Sequence, residues 1–160
     1  MASYKGHELF NVLALGPLIL LVPQDYRIPF GIGYLLGTFF LSPDLDLHFS
    51  KPSQRWKFLK FLWFPFWVFS RHRGITHVPF LGTLVKLFYL IFIFFFLYFA
   101  VLGVLSILGF APKELLSFDP FAFINEFLKS EKGFFFILGL IVADLLHIVL
   151  DIVSSFIKRF

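Results

Sequence analysis

Residues 87–110 form an uncharged run of Phe, Leu, Ile, Val and Tyr, and residues 133–157 form a second apolar run of similar length. A helix of about 20 apolar residues crosses roughly 30 Å of hydrocarbon, so both runs are predicted to be transmembrane helices. The rest of the composition agrees. Of 160 residues, 59% are hydrophobic, 27 are Phe and only 15% are charged. A soluble domain has about a quarter charged residues, and a chain this short has no interior large enough for so much apolar surface.

Two shorter apolar runs precede these, at 9–22 and 28–41, and reach spanning length only with their ends, as 6–22 and 28–42. Pro23 and Pro29 bracket the polar stretch between them, which predicts a tight turn and a helical hairpin. No small-residue cleavage site follows the first run, so it is expected to be retained and not removed as a signal peptide. Residues 51–73 differ. Pro65 interrupts a short apolar core, and Trp56, Trp63 and Trp67 alternate with Lys51, Arg55, Lys57, Lys60, Arg71 and Arg73. Tryptophan and long cations favour the headgroup level, so an interfacial or re-entrant helix is expected. Residues 111–132 are polar and partly amphipathic and are expected on the opposite surface. The fold class expected is thus all-α integral membrane, a single domain over 1–160. It is a bundle of four transmembrane helices (6–22, 28–42, 87–110, 133–157) plus the interfacial segment.

With four spans, both termini and residues 43–79 share one side. That side carries Lys5, Lys51, Arg55, Lys57, Lys60, Arg71, Arg73, Lys158 and Arg159, against Arg27, Lys113, Lys129 and Lys132 on the other, with Lys86 at a span edge. The positive-inside rule then places the termini in the cytoplasm of a cell's inner membrane. The net charge of +4 is read as affinity for anionic lipid headgroups and not for nucleic acid. Without cysteine, zinc–thiolate sites, disulfides and Cys nucleophiles are excluded. No Ser-His-Asp order, phosphate-binding loop or dinucleotide fingerprint is present either.

Four ionisable clusters sit at the edge of, or inside, the apolar runs: His7; Asp44 and Asp46; His72 and His77; and Asp144, His147 and Asp151. At 100° per residue the last three fall within about 60° of one helix face. Ionisable groups inside a span are costly and usually mark a functional site. One such residue can merely tie two helices together, but three on one stripe exceed what a tie needs. The topology brings all four clusters towards one face. Carboxylate and imidazole without thiolate suit Zn²⁺, Mn²⁺, Fe²⁺ or Co²⁺. Eight candidate ligands (His7, Asp44, Asp46, His72, His77, Asp144, His147 and Asp151) exceed the needs of one tetrahedral ion, so a pair of divalent ions is expected. In extended backbone Asp44 and Asp46 would point the same way, and Gly74 would let the chain turn back between His72 and His77. His48 is a weaker candidate, as ligand, ligand partner or headgroup contact.

Pro43-Asp44-Leu45-Asp46, His72-Arg73-Gly74-Ile75-Thr76-His77 and the Asp144, His147, Asp151 spacing, preceded by His7, together resemble the motif set of the YdjM-like family. Those proteins are described as LexA-regulated, membrane-bound metal-dependent hydrolases. The segment from Gln54-Arg55-Trp56 to Leu62-Trp63-Phe64-Pro65 resembles a short branch of that family described only as metal-binding. The resemblance covers most of the chain, and Thr76 keeps the hydroxyl of the serine frequent in that branch.

The leading expectation is a metal-dependent hydrolase cleaving a lipid or lipid-linked phosphoester at the cytoplasmic interface. Water activated by the metals would attack phosphorus. Asp46 and Asp144 are the candidate catalytic acids or bases. Arg71 and Arg73, with Arg55, are the candidate substrate clamps for a phosphate. The alternative is a non-catalytic metal-binding membrane protein, either a divalent-metal transporter or a metal-stabilised scaffold. A transporter would place its acids near the midplane, whereas three of the four clusters here lie at span ends.

Overall fold

The computed structural model describes residues 4–70, 74–110 and 112–157. These residues form helices and turns only. In chain order the α-helices are α1 (Tyr4–Leu20), α2 (Arg27–Phe39), α3 (Lys51–Arg55), α4 (Phe64–Phe69), α5 (Leu81–Ile107), α6 (Lys113–Ser117), α7 (Pro120–Lys129) and α8 (Glu131–Ile157). Short 3₁₀ turns occupy Gln24–Tyr26, Pro43–Asp46, Lys57–Trp63 and Ile75–His77.

Two helices are long and apolar enough to cross a membrane, α5 and α8, of 27 residues each. At 1.5 Å per residue each extends about 40 Å. The expectation of four spans goes further than these lengths carry. α1 has 17 residues and α2 has 13, or about 25 and 20 Å, short of a 30 Å hydrocarbon layer. α2 ends early because the backbone N–H groups of Phe40 and Leu41 both bond to the Leu36 carbonyl, and Pro43 then opens a 3₁₀ turn.

The core of the molecule is the α2–α8 pair, with α1 laid against both. Small residues make the close approach possible. A Cβ on Gly33 would overlap the Phe136 carbonyl, one on Gly37 would press on the Ala143 side chain, and one on Gly139 would overlap the Phe30 carbonyl. Gly33 and Gly37 thus form a small-xxx-small stripe of the kind that lets helix backbones meet within a membrane. Val22, Phe30, Tyr34 and Ala143 fill one side of this contact, and Leu41, Leu45, Trp63, Phe66 and Leu140 fill the other.

Residues 51–69 do not form one interfacial helix. They fold into α3, a 3₁₀ stretch and α4, and their tryptophans turn inward. Trp63 is 1% exposed, edge-on to Trp56 and Phe66 and tilted against Tyr89. Trp56 Nε1 donates to the Phe40 carbonyl at 3.2 Å and Trp67 Nε1 to the Leu45 carbonyl at 2.9 Å. Burial rewards an indole only when its N–H finds an acceptor, and here the acceptors are carbonyls at and just past the end of α2. The segment is therefore a buttress under the Pro43–Asp46 turn.

At the other end of α5 the polar stretch is helical. Asp119 caps α7 through bonds to the N–H groups of Phe121 and Ala122 at 2.9 and 3.0 Å, and α7 packs back on α8. α5 itself is buried only at Gly82, Thr83 and Lys86. From Leu87 onward it presents Phe88, Phe92, Phe96 and Phe99 outward.

Candidate metal centre

The buried interior near the start of α1 is polar: His7, Asp46, Asp144, His147 and Asp151 are each at most 9% exposed. α1 brings His7 into its second turn, stacked on the His147 ring of α8 with centroids 4.0 Å apart. One turn further along α8, Asp151 places Oδ1 3.2 Å from His7 Nε2 and Oδ2 4.0 Å from His147 Nε2.

The turn after α2 supplies the second set. It is a 3₁₀ turn and not the extended pair expected for Asp44 and Asp46, so their side chains leave the backbone about 120° apart. They still meet around one imidazole: Asp44 Oδ1 lies 3.8 Å from His77 Nε2, and Asp46 Oδ2 lies 3.8 Å from His77 Nδ1. Asp44 Oδ2 also lies 3.6 Å from His147 Nε2. The turn is held from behind, where Ser53 Oγ lies 2.7 and 3.2 Å from the carbonyls of Leu47 and Leu45. Thr76 Oγ1 donates to Asp46 Oδ2 at 2.8 Å. Gly82 lets the start of α5 abut the Thr76 carbonyl, where a Cβ would overlap it. Burial pushes the Asp44 carboxyl above the usual carboxylate range, with nearby His77 opposing the rise.

Among the described residues two groups of donor atoms result, the atoms of each within 4.8 Å of one another: His7, His147 and Asp151; and Asp44, His77 and His147. His147 belongs to both. His147 Nε2 is buried and makes no hydrogen bond, and neither does Asp151 Oδ1, despite standing 3.2 Å from His7. Such atoms are costly to bury unless something else engages them. A divalent ion does so. With ligands at 2.0–2.2 Å, donor atoms around a tetrahedral ion lie about 3.4 Å apart, close to the 3.2–4.0 Å separations here. The all-nitrogen and oxygen donor set suits the ions expected from the sequence.

Asp144 falls in neither donor group, and its Oδ1 is buried without a hydrogen bond. Its Oδ2 accepts from Thr83 Oγ1 at 2.5 Å and from Lys86 Nζ at 2.7 Å, and Lys86 Nζ also donates to the Leu41 carbonyl. Both charged side chains are nearly sealed, at 2% and 5% exposure. Arg55 is committed as well: its guanidinium pairs with Glu8 at 2.7 and 2.9 Å and donates to the Phe39 carbonyl at 3.0 Å. His48 is exposed and packs edge-on against Phe49. His72, Arg71 and Arg73 lie outside the described residues. The sequence reading missed three members of this neighbourhood: Lys86, whose place inside an apolar run was itself a signal; Thr83, one turn before it; and Asn11, a lone amide in the first apolar run.

The helices and the carboxylate–imidazole cluster define an all-helical metal-binding protein. The chain belongs to the family described as uncharacterized metal-binding protein (DUF2227), which it matches over residues 2–160. That match carries the expected metal and does not extend to the YdjM-like hydrolase family. A protein of Aquifex aeolicus (strain VF5), described as an uncharacterized protein, is 99% identical over 141 residues, which are 88% of this chain and 100% of that relative. No solved structure matches the chain.

Proposed function

We propose that the protein is a membrane-embedded, metal-dependent hydrolase of lipid or lipid-linked phosphoesters. Membrane embedding is supported by the inversion of burial: α5 turns its phenylalanines outward while His, Asp and Lys side chains are inside. A soluble domain of this size does not leave such a contiguous apolar surface in water. Sidedness rests on the charge count alone, which favours the cytoplasmic face of the inner membrane for the site.

The observation that carries the lipid reading is a cleft of about 570 Å³ beside the centre. Phe66, Phe69, Ile75, Phe88 and Tyr89 line it, and so does Thr76, the residue whose hydroxyl holds Asp46. A cleft of this size and apolarity suits an acyl chain, and through Thr76 it adjoins Asp46 and the neighbouring His77.

His7, His147 and Asp151 would hold one divalent ion, and Asp44 and His77, with His147 shared, a second. Such ions, when bound, polarise a phosphoryl oxygen and ease deprotonation of water. The protein's own part is positioning and proton transfer. Thr76 fixes one oxygen of Asp46, and Asp46 is the carboxylate proposed as general base. Ser53 and Trp67 hold the backbone of the Asp44–Asp46 turn so that neither carboxylate can swing away. Asp144 gives Oδ2 to Lys86 and Thr83, and its other oxygen, buried without a hydrogen bond, keeps it in the proposal as a ligand or base. A phosphate clamp by Arg71 and Arg73 remains part of the proposal on their charge and place in the chain.

The test is metal analysis of the purified protein, followed by a screen of phospholipids and lipid phosphates with Asp46→Ala and His147→Ala as controls. Turnover abolished in both variants is expected. Full metal content with no turnover of any lipid phosphate would instead support a metal-binding scaffold or transporter.

A further inference from the structure

Beside the ligand groups, between α1, the end of α2 and α8, lies a narrow polar chamber of about 10 Å³. That is room for a single water molecule. His7, Asp44 and His147 line it, together with Asn11 and Ser42. Asn11 and Ser42 belong to neither ligand group, yet they are 2% and 3% exposed.

The polarity at Asn11 is set by the surrounding bonds. Asn11 Nδ2 donates to the Ala143 carbonyl at 3.2 Å and to Thr38 Oγ1 at 3.3 Å. A carbonyl accepts only from the amide nitrogen, so the orientation of the side chain is determined and Oδ1 is the atom left over. Asn11 Oδ1, Ser42 Oγ and His7 Nδ1 are all buried without a hydrogen-bond partner. With a metal ion held between His7 Nε2 and Asp151 Oδ1, Nδ1 would carry the hydrogen. An imidazole that binds metal through one nitrogen almost always donates the other N–H to a carboxylate, carbonyl or water. Two acceptors and one donor thus line a space the size of one water, which needs two to four polar partners to be held.

We propose that this chamber is the seat of an ordered water, the second substrate of the site, held by Asn11 Oδ1, Ser42 Oγ and His7 Nδ1–H next to the ligand groups. Its role as a substrate rests on the hydrolytic reading above, but its presence does not. No bond is made or broken in the chamber; it holds the water beside the ligand groups before reaction, and Asn11 and Ser42 are positioning residues.

The experiment is pulsed electron–nuclear double resonance on the full-length chain loaded with Mn²⁺ in D₂O, comparing wild type, Asn11→Leu and Ser42→Ala. Metal content within about threefold of wild type and loss of the exchangeable-deuteron signal of one water are expected in both variants. Ser42→Ala removes one unbonded oxygen, so it keeps the comparison open if Asn11→Leu does not fold. Wild-type deuteron signals in folded, metal-loaded variants would overturn the proposal. So would a high-resolution structure of the wild-type chain without ordered solvent on Asn11 Oδ1 and Ser42 Oγ. If the signal falls as expected while no phosphoester is turned over, the water seat stands and the hydrolytic reading fails.

Discussion

Replacing Lys86 by Met keeps an unbranched side chain of similar length and deletes the ammonium that faces Asp144 at 2.7 Å. With both side chains at most 5% exposed, solvent cannot take over the lost partner. Asp144 must then remain charged and unpaired or bind a proton, with only the Thr83 hydroxyl to support it. Breaking a buried pair from one side costs about 3–5 kcal/mol, or about a 150- to 4000-fold shift in the folding equilibrium. Asp144→Leu strands Lys86 in the same way, with the Leu41 carbonyl as its remaining partner. The double variant Lys86→Met/Asp144→Leu buries neither charge, and a matched apolar replacement of a buried pair is often neutral or stabilising. The double variant is therefore expected within about 1–2 kcal/mol of wild type, the remainder being the bond lost at Leu41. The coupling energy exceeds 3 kcal/mol. Equilibrium unfolding of the purified protein in mixed micelles measures all four stabilities, and elemental analysis of the same samples measures bound metal. Because Asp144 falls in neither donor group, the folded double variant is expected to retain its metal. Additive single-variant costs would refute the buried-pair energetics. Loss of metal from a stably folded double variant would instead mark Asp144 as a ligand.

Three other outcomes follow from the same geometry. His147 is shared by both donor groups, so His147→Ala is expected to empty both, while His7→Ala and His77→Ala each lose about one equivalent. The loss should exceed the 10- to 100-fold weakening typical of a ligand's supporting partner, read by metal titration. Burial raises the Asp44 carboxyl above its ordinary range, so protons compete with metal there at a higher pH than at an exposed Asp, whose midpoint is about 3.9. Metal affinity should fall as pH drops through that raised value, and Asp44→Asn should flatten the profile. In the metal-free protein the native state binds this proton more tightly than the unfolded state does, so the same group makes the apo fold more stable as pH falls through the window. Gly139→Ala forces a Cβ onto the Phe30 carbonyl and should cost about 1–3 kcal/mol or more by overpacking. Gly16→Ala and Gly103→Ala, with nothing within 4 Å, should be neutral or slightly stabilising in an unfolding titration.

Much of the centre was legible because an ionisable group in an apolar run is a strong departure from what surrounds it. His7, Asp44, Asp46, His77, His147 and Asp151 were all marked by that contrast, and the order of the hydrophobic runs was enough to send them to one end. Helical periodicity placed Asp144, His147 and Asp151 on one stripe. It could not say that the first of the three would meet Lys86, 58 residues away in the chain, because a period gives the face of a helix and not its neighbour. The same contrast applied to Lys86, but its position near the start of a run made it look like an edge charge. The helix begins at Leu81, six residues before the apolar run does, and this extension buries Gly82, Thr83 and Lys86. The tryptophans illustrate a competing rule. Indole favours a membrane interface because it has an apolar body and one donor, and a backbone carbonyl released at a helix end satisfies that donor equally well. Phe40 provides such a carbonyl at the end of α2, and Leu45 another inside the turn that follows, so Trp56 and Trp67 were drawn in over the ligand loop. Tertiary acceptors of this kind have no signature in local sequence. The glycine stripe did have one, since Gly33 and Gly37 stand four apart in an apolar run. With the Gly139 contact it explains how a helix of only 13 residues lies close enough to α8 to set Asp44 within 3.6 Å of His147. The short α2 and the ligand geometry therefore have one cause. Shortening the helix frees the Pro43–Asp46 turn to fold over α8, and the glycines bring the two backbones near enough for that turn to reach the histidine.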